Sequence, residues 1–288
     1  MTSLHRYQVV AVAALFVGAT ILAKPTAKWI DLHWAGGALK DTWGDLRWQE
    51  DWGSAVPLPA GLDGSWLDSA KRPVVIAHAI GASGTIAADT IEALAPAEQD
   101  GFRLFEVDLW LDAAGELRCQ HDDKTADPLF TTDCTLARLL PRVAALGGWV
   151  VLDIKSDFPA AGRAVLQLVR SNGLARHVVF QLYRADHLTL FAQWVQLAPF
   201  AEPIVTTYAS HRSVQHIADH AQALRVRALT LPLVDMPMLQ RRPAGVALLV
   251  HPVHNCVDWR TARDNHVTGI YTLTHLQCGD WVTPATPP

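Results

Sequence analysis

The sequence predicts an α/β fold, a single (β/α)8 barrel, and two observations predict it. From Pro73 onward, short apolar runs alternate with helix-like stretches, and several runs are continuous and β-branched, as strands are when helices cover both faces. Setting aside the first ~70 residues leaves about 215, a length that suits one barrel rather than two domains. Such alternation at this length means parallel strands, and eight of them closed on themselves make a TIM barrel. Nine runs read as strands: residues 74–77, 104–109, 117–120, 149–154, 178–181, 204–207, 228–231, 247–251 and 269–272. One is surplus, and residues 228–231 are assigned as a short extra piece or an irregular eighth. Amphipathic stretches at 160–170, 185–197 and 213–224 lie between the strands.

Two segments precede the barrel, which is assigned to residues 73–288. Residues 1–24 form a hydrophobic helix, in which Tyr7 to Ala23 runs for 17 residues without a charge. A membrane-spanning helix needs about 17–25. A signal peptide is the rival, but its positive start would be thin and Ile21-Leu22-Ala23 is a poor cleavage site. The expectation is an uncleaved membrane anchor with the barrel outside the cytoplasm, or a secreted or periplasmic protein if the segment is removed. Residues 25–72 form a linker holding Trp29, Trp34, Trp43, Trp48, Trp52 and Trp66, six of the chain's 11 tryptophans. These rings either form a collar at the membrane–water boundary or pack beneath the barrel. Pro57-Leu58-Pro59 and Gly61-Leu62-Asp63-Gly64 read as loop.

Half of the chain is hydrophobic, enough for a real core, and 18% is charged, which argues against disorder. A net charge of −4 supplies no basic field, so nucleic acid is not expected as a partner. Cys119, Cys134, Cys256 and Cys278 include no C-x-x-C pair, which argues against structural zinc. Buried free thiols are the default expectation. Outside the cytoplasm, Cys119 and Cys134 would be spaced to close a loop beside the site described next.

Four strand ends carry the chemistry: Ile76-Ala77-His78, Phe105-Glu106-Val107-Asp108, Gln120-His121-Asp122 and Leu152-Asp153-Ile154-Lys155. In a parallel barrel, active residues sit at the carboxyl ends of strands. Side chains alternate along a strand, so Glu106 shares a face with Asp108, and Asp153 with Lys155. Charged pairs on one face of an apolar strand are costly unless something pairs with them, and a bound cation meets that need. Three carboxylates make a hard oxygen site, suited to Mg²⁺ or Ca²⁺ more than to Zn²⁺. Two imidazoles, titrating near neutrality, can exchange the roles of proton donor and acceptor.

At these residues the chain resembles the glycerophosphodiester phosphodiesterase family, within the superfamily that includes phosphatidylinositol-specific phospholipase C. IAHAIGASGTIAADTIEAL is similar to the family's opening His-Arg-Gly…Glu-Asn-Thr segment, and GFRLFEVDLWLDAAGELRCQHDD to its Glu-x-Asp strand, turn and His-Asp strand. VVLDIKSD resembles its acidic-x-Lys strand, with Asp153 where Glu is usual, and HNCVDWRTARDNHVTGIYTLT its last helix and strand. The resemblance implies Glu106, Asp108 and Asp153 as ligands of the divalent cation, His78 and His121 as the acid–base pair, and Lys155 as a phosphate contact. The family's arginine is absent: Ala79-Ile80 follows His78, and Ala88-Asp89-Thr90 stands where Glu-Asn-Thr is usual. A bidentate phosphate clamp is thereby lost, and Arg184, after the fifth strand, is the candidate replacement.

The expected function is metal-dependent hydrolysis of a small-molecule or lipid phosphodiester, with His78 as base and His121 as acid. The alternatives are a non-catalytic barrel that binds phosphate or a lipid headgroup, and a lyase that forms a cyclic phosphate. Among weaker features, His251 and His254 flank a strand end at the pocket rim. Asp122 and Asp123 either sit behind the metal or cap a turn, and Tyr183 either stacks on a ligand or, more commonly, packs in the pocket wall. His216 and His220, near His211, read as an exposed polar helix face.

Overall fold

The computed structural model describes residues 52–69, 73–81, 88–121, 133–207 and 214–278. The uncharged run at 7–23 and Trp29, Trp34, Trp43 and Trp48 lie outside these. Among the described residues no helix is long and apolar enough to cross a membrane.

The strands are β1 (Val74–Ala77), β2 (Leu104–Leu111), β3 (Leu117–Cys119), β4 (Trp149–Ile154), β5 (Val178–Leu182), β6 (Ile204–Thr206), β7 (Ala228–Pro232), β8 (Ala247–His251) and β9 (Gly269–Thr272). Eight of them pair in parallel in the order β1-β2-β4-β5-β6-β7-β8-β9, and β9 returns to β1 to close the barrel. The surplus strand is β3, not residues 228–231. β3 runs antiparallel to β2 outside the ring, pairing Cys119 with Leu109. Its burial alternates, as expected of a strand packed on one face, whereas all of β7 is buried, as a ring member must be. The turn before β3 is built by Asp112, whose carboxylate accepts from Ala114 N and Glu116 N at 2.9 Å each.

Helices cover the ring: α1 (Ser65–Ser69), α2 (Leu94–Gln99), α3 (Leu136–Ala145), α4 (Phe158–Asn172), α5 (Ala185–Trp194), α6 (Val214–Ala221) and α7 (Cys256–Asp264). α4 shows how sequence sets its ends. Asp157 caps the start by accepting from Ala160 N at 2.8 Å, and Gly173, with φ of 69°, terminates it in the left-handed conformation. Between β7 and β8 the connection is a 3₁₀ turn, Leu233–Met238, in place of a helix.

Strand alternation separates two cores. Phe105, Val107, Val150, Leu152, Val178 and Phe180 pack outward under the helices, whereas Ile76, Leu104, Val151, Val179, Ile204 and Leu249 fill the lower barrel. Trp66 plugs the underside, its indole N–H donating to Glu202 O at 2.9 Å. Glu202 N donates to Asp63 O at 2.8 Å and Leu58 N to Leu224 O at 3.0 Å. Trp52 and Trp66, the described tryptophans of the linker, are both buried. Trp66 packs with the lower-barrel residues beneath the ring, whereas Trp52 packs in the outer core near α6.

The cysteines depart from the default expectation. Cys119 is bonded to Cys134 and Cys256 to Cys278, so no described cysteine is a free thiol. The first bridge ties the end of β3 to the chain entering α3, beside a backbone bond from Cys119 N to Cys134 O at 3.1 Å.

The α4–α5 contact offers a test of packing. Gly162 faces the Trp194 ring with no room for a methyl group. Gly162→Ala should destabilise the protein by about 1–3 kcal/mol in urea unfolding, the usual cost of overpacking. Adding Trp194→Phe should recover part of that loss. Unchanged stability in Gly162→Ala would mean that the two helices are not in this contact.

Candidate active site

Above the apolar filling, the inward positions turn polar. The β2–β4 register sets Glu106 beside Val151 and Asp108 beside Asp153. Alternation points Glu106, Asp108 and Asp153 into the upper barrel, where ligand oxygens of all three lie within 4.8 Å of one another. They are only 2%, 9% and 5% exposed, so water screens them poorly. Burial, with Asp108, Asp153 and Asp89 nearby, pushes the Glu106 carboxyl well above its usual range. Burial likewise raises Asp153, and it raises Asp89 to about 8. Asp89 stands beside the cluster, its carboxylate accepting from Asp108 N at 3.3 Å.

Polar partners hold the acids in place. Lys155 Nζ donates to Asp153 Oδ2 at 2.7 Å and lies 3.1 Å from Asp108 Oδ1. Burial alone would lower the Lys155 pKa, but Asp153 and Asp108 outweigh it and raise the pKa above its usual value. Tyr183 Oη and Gln181 Nε2 donate to the same Asp153 oxygen at 2.6 and 3.1 Å, and Tyr271 Oη donates to Gln181 Oε1 at 3.0 Å. Three donors therefore converge on Oδ2, while Asp153 Oδ1 is buried with no hydrogen-bond partner. Only a few polar atoms in a native interior are orphaned in this way, and each calls for an explanation. An all-oxygen, carboxylate-rich donor set with one acceptor unsatisfied fits a hard divalent cation.

β1 delivers His78. Its Nε2 lies 3.8 Å from Glu106 Oε2, and its Nδ1 is buried without a partner. Burial lowers the His78 pKa, aided by His254 and Lys155 and opposed by Asp108, which favours the neutral imidazole. The backbone then turns sharply, with left-handed φ at Ala79 (52°), Ile80 (63°) and Gly81 (88°). For Ala and Ile this conformation is strained by about 1–2 kcal/mol each. It lets Ala79 N donate to Glu106 Oε2 at 2.7 Å, fixing that carboxylate.

The structure thus brings together Glu106, Asp108, Asp153, Lys155 and His78. His121 is exposed, two residues past β3, and Asp122 and Asp123 lie outside the described residues. The Arg184 guanidinium is held by Asp186 through bonds of 2.7 and 2.9 Å, at the start of α5. His251 and His254 do reach the site, with ring centroids 5.3 and 6.5 Å from that of His78. His216 and His220 lie on α6, 4.4 Å apart ring to ring, and His211 is outside the described residues. Tyr183 contributes a hydrogen bond to an acid as well as wall packing. Gln181, Tyr271 and Asp89 were not assigned from sequence. The signal for the first two was a polar inward position in an otherwise apolar strand.

No family model matches the chain, and no curated protein does. Solved structures share the fold. A glycerophosphodiester phosphodiesterase from Parabacteroides distasonis is 18% identical with a TM-score of 0.57, covering 74% of this chain and 94% of its own. An Oleispira antarctica phosphodiesterase, in complex with the product sn-glycerol-3-phosphate, is 14% identical with a TM-score of 0.54, over 69% and 92%. A glycerophosphodiester phosphodiesterase from Thermotoga maritima is 17% identical with a TM-score of 0.51, over 70% and 95%.

The raised carboxyl pKa values have a signed consequence. Without a cation, the folded state keeps protons on Glu106 and Asp89 that the unfolded chain has already released, so stability falls as pH rises. His78, His187 and His251, whose pKa values are lowered below 6.5, contribute little above about pH 7.5. Tm of metal-stripped protein should therefore decline from about pH 7.5 to 9, and Glu106→Gln should flatten the decline. Mg²⁺ or Ca²⁺ should raise Tm in wild type but far less in Glu106→Gln, by binding only the native carboxylates. A wild-type Tm indifferent to both ions would refute the cation site.

Proposed function

We propose that the barrel is a metal-dependent phosphodiesterase, hydrolysing glycerophosphodiesters or related lipid-headgroup phosphodiesters by histidine acid–base catalysis. One observation carries the reading: three buried carboxylates meet at one point, with an imidazole 3.8 Å from the first, at the mouth of a barrel. The fold shared with solved phosphodiesterases supports it.

Glu106, Asp108 and Asp153 would hold Mg²⁺ or Ca²⁺, which when bound supplies Lewis-acid polarisation of the phosphate. The remaining work falls to the chain's own groups. Lys155, released from part of its pairing with Asp108 and Asp153, offers Nζ to a phosphate oxygen. Burial favours the neutral His78 imidazole, so it can take a proton from the attacking hydroxyl or water as general base. His121, carried on the ribbon beside β2, gives a proton to the departing alkoxide. Its exposed position leaves it access to a leaving group. The hydrophobic run at 7–23 supports anchoring of this barrel to a membrane, and the two disulfides support a place outside the cytoplasm.

The reading is tested on purified protein with sn-glycero-3-phosphocholine and sn-glycero-3-phosphoethanolamine. Turnover should require Mg²⁺ or Ca²⁺ and be abolished by EDTA and by Asp153→Asn. His78→Ala and His121→Ala should each lower kcat by about 10²–10⁴-fold, the range for a lost general acid or base. The acid limb of the wild-type pH profile should lie below 6.5, because His78 must be unprotonated, and should vanish in His78→Ala. Turnover indifferent to EDTA, or equal in the histidine variants, would remove the mechanism. A protein that binds sn-glycerol 3-phosphate without turnover would be the non-catalytic barrel, and a cyclic phosphate product would identify the lyase.

A further inference from the structure

The acid cluster occupies one side of His78, and the other side is formed by the end of β8. Residues 252–254 leave that strand and pass over β9, the neighbour of β1. Val253 is fully buried and its N–H donates to Tyr271 O at 3.0 Å, fastening the turn to β9. Three residues later Cys256 is bridged to Cys278, beyond the end of the same strand. His254 sits between these two ties, exposed, with its ring 6.5 Å from that of His78 and 28° from parallel to it. His251 stands behind, 5.3 Å from His78 and edge-on to Tyr271 at 5.5 Å. An exposed side chain gains little from being clamped on both flanks unless its position matters, because ordering costs conformational entropy.

Among the described residues, the cations leave a gap on this side. Lys155 lies on the carboxylate side, between Asp108 and Asp153, and Arg184 is held by Asp186. The position after His78, where a guanidinium would grip phosphate, is Ala79, whose N–H is already given to Glu106. A phosphodiester seated on the carboxylate site would therefore meet imidazole, not guanidinium, on its other flank.

We infer that His254 is a substrate-binding residue that donates a hydrogen bond to a non-bridging oxygen of the phosphodiester, in the place of the absent arginine, with His251 as the wall that orients His78. The assignment rests on the phosphodiesterase reading for its substrate class, but not for its geometry. Burial, with His78, Lys155 and His254 nearby, pushes His251 down to about 3, so it acts here as a neutral wall and not as a charge. His254 acts on binding rather than on proton transfer, which falls to His78 and His121.

The experiment compares wild type, His254→Ala and His254→Arg in three measurements. These are KM and kcat for sn-glycero-3-phosphocholine with Mg²⁺, calorimetric Kd for sn-glycerol 3-phosphate with Mg²⁺, and Tm. His254→Ala should raise both KM and Kd by roughly ten- to hundred-fold, the loss of one hydrogen bond to a charged group, while kcat and Tm change little. His254→Arg should restore most of the affinity, since guanidinium is the stronger phosphate donor. Unchanged KM and Kd in His254→Ala, or a collapse confined to kcat, would overturn the assignment. If wild type turns over no diester, the hydrolytic reading fails, and the Kd comparison alone decides on His254. A wild type that binds no phosphate ester overturns both.

Discussion

Glu106, Asp108 and Asp153 stand on adjacent parallel strands whose register sets Asp108 beside Asp153, and burial withholds the water that would screen their charges. Like charges at such separations in a poorly screened interior repel strongly, and each also loses its hydration. The neighbourhood answers that repulsion. Lys155 bridges two of the acids, Tyr183 and Gln181 donate to one oxygen of Asp153, and Ala79 N fixes Glu106. Tyr271 in turn holds Gln181, so the support extends from β5 to β9 across the ring. The arrangement remains electrostatically incomplete, since Asp153 Oδ1 has no partner and burial keeps Glu106 inclined to stay protonated. A bound cation would relieve both conditions.

The turn after β1 shows the same tension in the backbone. Ala79 and Ile80 adopt a conformation usually left to glycine, and Asp89, whose N–H donates to Ala79 O at 2.8 Å, does so as well. Strain of this kind persists where surrounding contacts over-determine it, and such places cluster at functional sites. Here it aims an N–H at Glu106 and sets His78 at the rim.

Much of this was legible in the sequence because period-2 alternation is a direct consequence of strand geometry. All nine strands fall where apolar runs lie, and the pairing of Glu106 with Asp108 on one face follows from spacing alone. The surplus strand was harder. Leu117-Arg118-Cys119 alternates and β7 does not, but three residues are too few for period to separate a ribbon from a ring strand. Register between strands is not written in either one, so the meeting of Asp153 with Asp108 needed coordinates. The same holds for Cys119 with Cys134 and Cys256 with Cys278, because chain separation says nothing of whether two thiols meet. His254 was visible only as a rim residue. The ties that flank it, Val253 to Tyr271 and Cys256 to Cys278, come from contacts between elements remote in sequence.

β3 lies outside the hydrogen-bonded ring, and that placement has a consequence for how the molecule can change. The eight ring strands depend on one another for closure, so an insertion within any of them would break the cylinder. Among the named strands β3 pairs only with β2, and it is stapled to the chain entering α3, so it could be lengthened, shortened or exchanged while the cylinder persists. His121 rides on that appendage, whereas His78 and the carboxylates belong to the cylinder. Variation among descendants of this chain should therefore fall on His121 and its surroundings, leaving His78, Glu106, Asp108 and Asp153 as an inherited constant.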